Sequence, residues 1–198
     1  MKKSIKIFAM VALFTATLFT SCKKEENLKS GVKPIETLIN TKMEFSSYGI
    51  DDVNRTMAIV FKSSIAGKIT HLGAKLEPGT YNVALLDSSS QSVLKTATVT
   101  VSDTSNFAYT DIDDVTIVAN KVYYVTINNA TTSNNANKKF FTYALISAPV
   151  FPITDGNFTY LEPVFLPLTT DATNIFNEDI YRQSNSISGV PSFIFVEN

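Results

Sequence analysis

An all-β fold, a single antiparallel β-sandwich domain over residues 43–198, is what this chain predicts, and three observations carry the prediction. Apolar residues recur with a period of two in short runs rich in β-branched and aromatic side chains. Turn-forming residues punctuate those runs at a spacing of roughly ten positions, as in two packed antiparallel sheets. No stretch after the first 21 residues shows the spacing of an amphipathic helix.

Taken in order, residues 57–62, 68–76, 81–86 and 93–101 are the first strands. They are separated by Ala66 and Gly67, by Glu77, Pro78, Gly79 and Thr80, and by Asp87 with three serines behind it. Further runs follow at 107–118, 122–127, 139–146, 157–161 and 192–196. In 93–101 the odd positions (Val93, Lys95, Ala97, Val99, Val101) are expected to face the core and Thr96, Thr98 and Thr100 to face solvent. A strand so near the C-terminus is expected to be paired within a sheet.

The N-terminus has another character. Lys2, Lys3 and Lys6 precede an apolar run over 7–19, the small residues Thr20 and Ser21, and then Cys22, the only cysteine. That is the layout of an export signal over 1–21. Ending on a lone cysteine, it resembles a bacterial lipoprotein signal, which implies that the Cys22 thiol accepts a diacylglycerol and becomes the first residue after cleavage. The alternative is a periplasmic protein with a spare thiol. Residues 22–42 read as a flexible tether, polar and without periodicity at their start. Lys23, Lys24, Glu25 and Glu26 resemble the tag that places Bacteroidetes-type lipoproteins on the outer face of the outer membrane; a merely solvated charge cluster is the other reading, and the periplasmic face the alternative location.

Removing 21 of 198 residues leaves 177, enough for one domain with a real core. It also takes three of the 17 basic side chains, leaving 14 against 18 acidic. So mild an imbalance argues against nucleic acid as a partner, and the membrane link is expected through lipid alone. One cysteine permits no internal disulfide, so stability must come from packing and sheet hydrogen bonds.

The runs Ala58 to Leu72, Gly79 to Asp87, Leu94 to Val99 and Val118 to Val125, with Ile187 to Phe195 closing the chain, resemble the bacterial domain-of-unknown-function 4082 family over roughly residues 45–197. The resemblance implies an extracellular, jelly-roll-like β-sandwich without catalytic function, of the kind found in carbohydrate-associated surface proteins. A tryptophan often found in that family is here Leu86, and the chain has no Trp at all.

Chemistry is sparse. His71 is the only histidine and falls inside a predicted strand, which suits a structural or surface role. No nucleophile elbow, zinc cluster or phosphate-binding glycine loop is present. Asp51, Asp52, Glu162, Glu178 and Asp179 supply acids, but no pairing of the kind glycoside hydrolysis needs is evident. No cofactor is expected. Asp111, Asp113 and Asp114 have the hard oxygens a structural calcium requires, and equally suit an acidic solvent face that discourages edge pairing. The polar loop 128–137, after Tyr123 and Tyr124, offers Asn128, Asn129, Asn134 and Asn135 as hydrogen-bonding partners for sugar hydroxyls, with Tyr124 as the stacking face; a solvated connector is the other reading. The expected function is a non-enzymatic, lipid-anchored surface module that binds a glycan or polysaccharide. The alternative is a structural, adhesive or protein-interaction component of the envelope.

Overall fold

The computed structural model describes residues 31–51, 53–130, 138–146, 150–176 and 179–198. Cys22 and the tag behind it lie outside them. The described chain is mostly β, with antiparallel sheets packed together as a sandwich.

The main sheet runs β11(Tyr181–Arg182), β10(Phe158–Pro167), β2(Arg55–Ser63), β7(Val122–Asn128), β4(Gly79–Asp87), β5(Ser92–Val101), with β9(Ile153–Asp155) added to β10. Opposite it stand β13(Val190–Glu197), β3(Gly67–Lys75) and β6(Ala108–Ile117). A third sheet orders β1(Met43–Asp51), β8(Lys138–Leu145) and β12(Ser186–Ser188). The chain crosses between the first two sheets from β2 to β3, from β3 to β4, and again around β6. Phe61 of β2 stacks on Phe193 of β13 at 4.6 Å, and Phe158 of β10 meets Phe195 edge-on at 5.1 Å. These rings mark the centre of the core, where each buried large side chain contributes about 1.5–3 kcal/mol.

β2 is buried along nearly its whole length, and β4 from Val83 to Asp87, instead of alternating. Both of their faces are covered, which is how a strand comes to read as continuously apolar. Inward, Ile59, Phe61, Val83 and Leu85 join the main core; outward, Ala58, Val60, Ala84 and Leu86 join a second cluster with Ala172 and Ile175.

On β5 the expected odd-in pattern holds from Ala97 to Val101, with Thr96, Thr98 and Thr100 exposed. It fails at Val93. A bulge between Leu85 and Leu86 pairs Leu85 with Lys95 and Leu86 with Val93, so Leu94 is the extra residue. The side-chain sense reverses there: Leu94 packs on the core and Val93 is exposed.

The segment expected to be tether throughout 22–42 ends in a helix, α1(Pro34–Lys42). Pro34 occupies the first turn, where its missing N–H costs nothing, Glu36 lies near the positive end and Lys42 near the negative one. Ile35, Leu38 and Ile39, at i, i+3 and i+4, are buried in the main core. Just before the helix, Val32 exchanges backbone hydrogen bonds of 2.8 and 2.9 Å with Phe195. The Tyr109 hydroxyl donates to Glu36 Oε2 at 3.0 Å and lies 3.1 Å from Ser192 Oγ.

In the third sheet Ser46 is a bulge: Phe45 pairs with Tyr143 and Ser47 with Thr142. Residues 45 and 48 would otherwise face opposite ways. The extra residue brings Phe45 and Tyr48 onto the same face as Phe141 and Tyr143, with ring centroids 4.7–6.5 Å apart.

Candidate binding groove

After β10 the chain crosses the outer face of the main sheet as a strap, residues 168–176. Its course is set by local turns: the Thr169 hydroxyl accepts from the Asp171 N–H, and Asp171 Oδ1 accepts from the Thr173 N–H and hydroxyl, both at 2.8 Å. Three polar side chains on the sheet then hold its carbonyls. Thr56 Oγ1 donates to Asp171 O at 2.8 Å, Thr126 Oγ1 to Ala172 O at 2.6 Å, and Asn128 Nδ2 to Thr169 O at 2.8 Å. All three are fully buried, so each bond satisfies a group that would otherwise be costly.

Where the strap leaves β10 it forms one wall of a groove of about 580 Å³, lined by Leu166, Pro167, Leu168, Thr169, Asn174, Asp179, Ile180 and Tyr181. Leu168 is 81 % exposed and sits in the left-handed region, φ 60°. Both features are unfavourable for a leucine, and such strain concentrates at sites of function. Tyr181 is 56 % exposed, and its ring lies nearly parallel to Phe165, 8° apart at 5.0 Å. The Arg55 guanidinium stands 5.0 Å from the Phe165 ring centre. Register fixes this arrangement, since β10 pairs Phe165 with Tyr181 on one side and Pro167 with Arg55 on the other. Asp179 is the one carboxylate among the lining residues, and none of them is cationic.

Asn128 and Asn129 are at this end of the sheet but not as exposed ligand contacts, which corrects the expectation from sequence. Asn128 is buried, donating also to Thr56 Oγ1 and accepting from the Ala130 N–H, both at 2.8 Å. Asn129 is buried too: its Oδ1 accepts from the Arg55 N–H at 2.6 Å, and its Nδ2 has no partner among the described residues. Asn134 and Asn135 lie outside the described residues. Tyr124 is half-buried against the strap rather than open for stacking, meeting Phe176 edge-on at 5.1 Å. Burial, then the nearby Glu162 charge, push its hydroxyl pKa up.

The three aspartates of β6 diverge. Asp111 lies 3.7 Å from His71 Nε2, Asp113 is 2.6 Å from Lys95 Nζ, and Asp114 is 3.0 Å from Lys68 Nζ. A register shift between Ile69 and His71 turns them toward different strands. Among the described residues no group of three His, Cys, Asp or Glu is placed to hold a metal ion. His71 is partly exposed, with Nδ1 2.8 Å from Thr70 Oγ1. Glu162 pairs with Arg182. Asp52 and Glu178 lie outside the described residues.

Tyr181, Leu168 and Asn174 were not singled out by sequence reasoning. The signal available for Tyr181 was weak, an isolated aromatic in a polar segment without periodicity. No family model matches the chain, and no curated protein matches it.

Proposed function

We propose that this protein is a non-catalytic binding module, held to the cell surface by lipid on Cys22, that takes a glycan or envelope polysaccharide in the groove at Tyr181. The observation that carries the reading is the Tyr181 ring, backed by Phe165 and largely exposed, at the rim of a groove that also presents Asn174 and Asp179. An aromatic face suits the apolar side of a pyranose, while an amide and a carboxylate suit its hydroxyl groups. The strap is tied to the sheet by Thr56, Thr126 and Asn128, so the groove is preformed and little ordering is required on binding. Glycoside hydrolysis uses two carboxyl groups flanking the bond, and the described lining supplies one. The export signal over 1–21, the outer-membrane tag after Cys22 and the resemblance to the 4082 family support a location outside the cell.

The test is binding of the full chain to a panel of plant, host and microbial glycans, comparing wild type with Tyr181→Ala and Tyr181→Phe. A stacked ring is worth about 0.5–1.5 kcal/mol, so the alanine variant should bind roughly 2- to 13-fold more weakly and the phenylalanine variant nearly as wild type. No saturable binding by folded wild type, or equal binding by the alanine variant, would move the reading to protein interaction.

A further inference from the structure

A second surface, distinct from the groove, combines exposed aromatics with lysines beside the point where the described chain begins. Lys33 Nζ lies 4.9 Å over the Tyr109 ring, and Tyr109 stacks on Phe107 at 6.2 Å. Lys75 Nζ is 5.5 Å from both the Phe107 and Tyr143 rings. Tyr143 meets Phe45 at 6.1 Å, and Phe45 meets Tyr48 at 4.7 Å. No step exceeds 6.2 Å, so a chain of contacts links Lys33 to Tyr48, passing through Tyr143, which is itself buried. Phe45 and Tyr48 are 48 % and 59 % exposed, and Ile146, hydrogen-bonded through its N–H to Lys42 O, is exposed as well.

We propose that this face is a lipid-contacting surface that seats the domain on the bilayer; the proposal rests on the reading of Cys22 as the lipidated residue. Gly31 stands nine positions after Cys22. At no more than about 3.4 Å per residue, Gly31 stays within roughly 30 Å of the anchored residue and Lys33 within roughly 37 Å, whatever path the chain takes. A face so tethered is at high effective concentration at the membrane, and weak contacts suffice to hold it there. Its chemistry matches the boundary it would meet. Aromatic rings settle at the level of the headgroups, and lysines lay their stems along apolar surface while the ammonium reaches phosphate. The Ser46 bulge is what turns both exposed rings the same way, so the local irregularity of β1 has a use in this arrangement.

The experiment exploits the absence of tryptophan from the chain. Full-length lipidated protein carrying Tyr48→Trp, Phe45→Trp or, as a control, Val93→Trp is reconstituted in phosphatidylethanolamine and phosphatidylglycerol vesicles containing headgroup-proximal nitroxide lipid. Val93 is exposed and stands at the end of β5 away from the loop that leads to Phe107. The expected result is blue-shifted emission and loss of intensity at positions 45 and 48, with no quenching at 93. Vesicle flotation with intact emission at 45 and 48, or equal quenching at all three positions, overturns the docking face while leaving the anchor in place. Wild type that fails to float removes the anchor reading and the docking face together. The two tryptophan substitutions are made in separate variants, so misfolding of one leaves the other to decide.

Discussion

Replacing Asn128 with alanine separates a structural asparagine from a ligand-binding one. The side chain is fully buried and makes three contacts of 2.8 Å: to Thr169 O on the strap, to Thr56 Oγ1 on β2, and from the Ala130 N–H. Alanine leaves the Thr169 carbonyl and the Ala130 N–H without that partner in buried surroundings, at about 1–3 kcal/mol each. Thr56 keeps its bond to Asp171 O, so its loss is smaller. The total is about 2–6 kcal/mol, and with a urea slope near 2 kcal/mol/M the midpoint should fall by roughly 1–3 M. Amide exchange should quicken first over residues 169–175, because the strap loses one of its three ties before the sheet loses any. Equilibrium urea unfolding and exchange mass spectrometry of Asn128→Ala measure both. A midpoint shift under about 0.5 M with unchanged strap exchange would refute the claim that these buried bonds hold the strap.

Three further expectations concern other elements. Leu38→Ala should destabilise by about 2–5 kcal/mol, since Leu38 is fully buried in the main core; an unaltered melting temperature would mean that the helix adds nothing to that core. Deleting Ser46 should turn Phe45 to the opposite face and remove its ring contacts with Tyr48, Phe141 and Tyr143, at about 0.5–1.5 kcal/mol per pair. A changed near-ultraviolet circular dichroism spectrum and a lower melting point are expected, and an unchanged pair of signals would count against the bulge. The Asp87 carboxyl is held below the usual carboxylate range, chiefly by Lys121 and then by Ser89 and Ser90, against an upward push from burial. The folded state therefore binds that proton less readily than the unfolded one, so the stabilisation is complete above about pH 4 and is lost as pH falls further. Asp87→Asn should flatten the loss of urea resistance between about pH 4 and pH 2, and an identical slope in the variant would assign the acid sensitivity elsewhere.

The strands were legible because their signal is local: short runs rich in β-branched and aromatic residues, such as 57–62 and 122–127, mark a strand whether one face is covered or both. Val93 was misassigned because a bulge is decided by the pairing of two strands, and neither strand alone records it. The nine-residue helix α1 escaped because its apolar positions, Ile35, Leu38 and Ile39, span little more than one turn, too few repeats to stand out. Asn128 and Asn129 were read as surface residues because polar side chains at a strand end ordinarily face water. Asn128 is held by the strap, forty residues further on, and Asn129 by the backbone of Arg55 on the neighbouring strand. The groove lining falls within one stretch, residues 166–181, but that stretch has no periodicity, and its course over the sheet is held by Thr56, Thr126 and Asn128 from distant strands. The face from Lys33 to Tyr48 is assembled from five separate parts of the chain.

The way α1 and Val32 engage the sandwich bears on how the protein would carry a mechanical load. A pull applied at residue 31 first meets the two backbone hydrogen bonds between Val32 and Phe195. It then meets a helix whose three apolar side chains are sunk in the core. Two bonds in a short bridge are easily broken in succession, whereas extracting Ile35, Leu38 and Ile39 requires all three to leave together. The load would thus stop at the helix before it reached β1, and the domain would turn about residue 31 without unravelling a sheet.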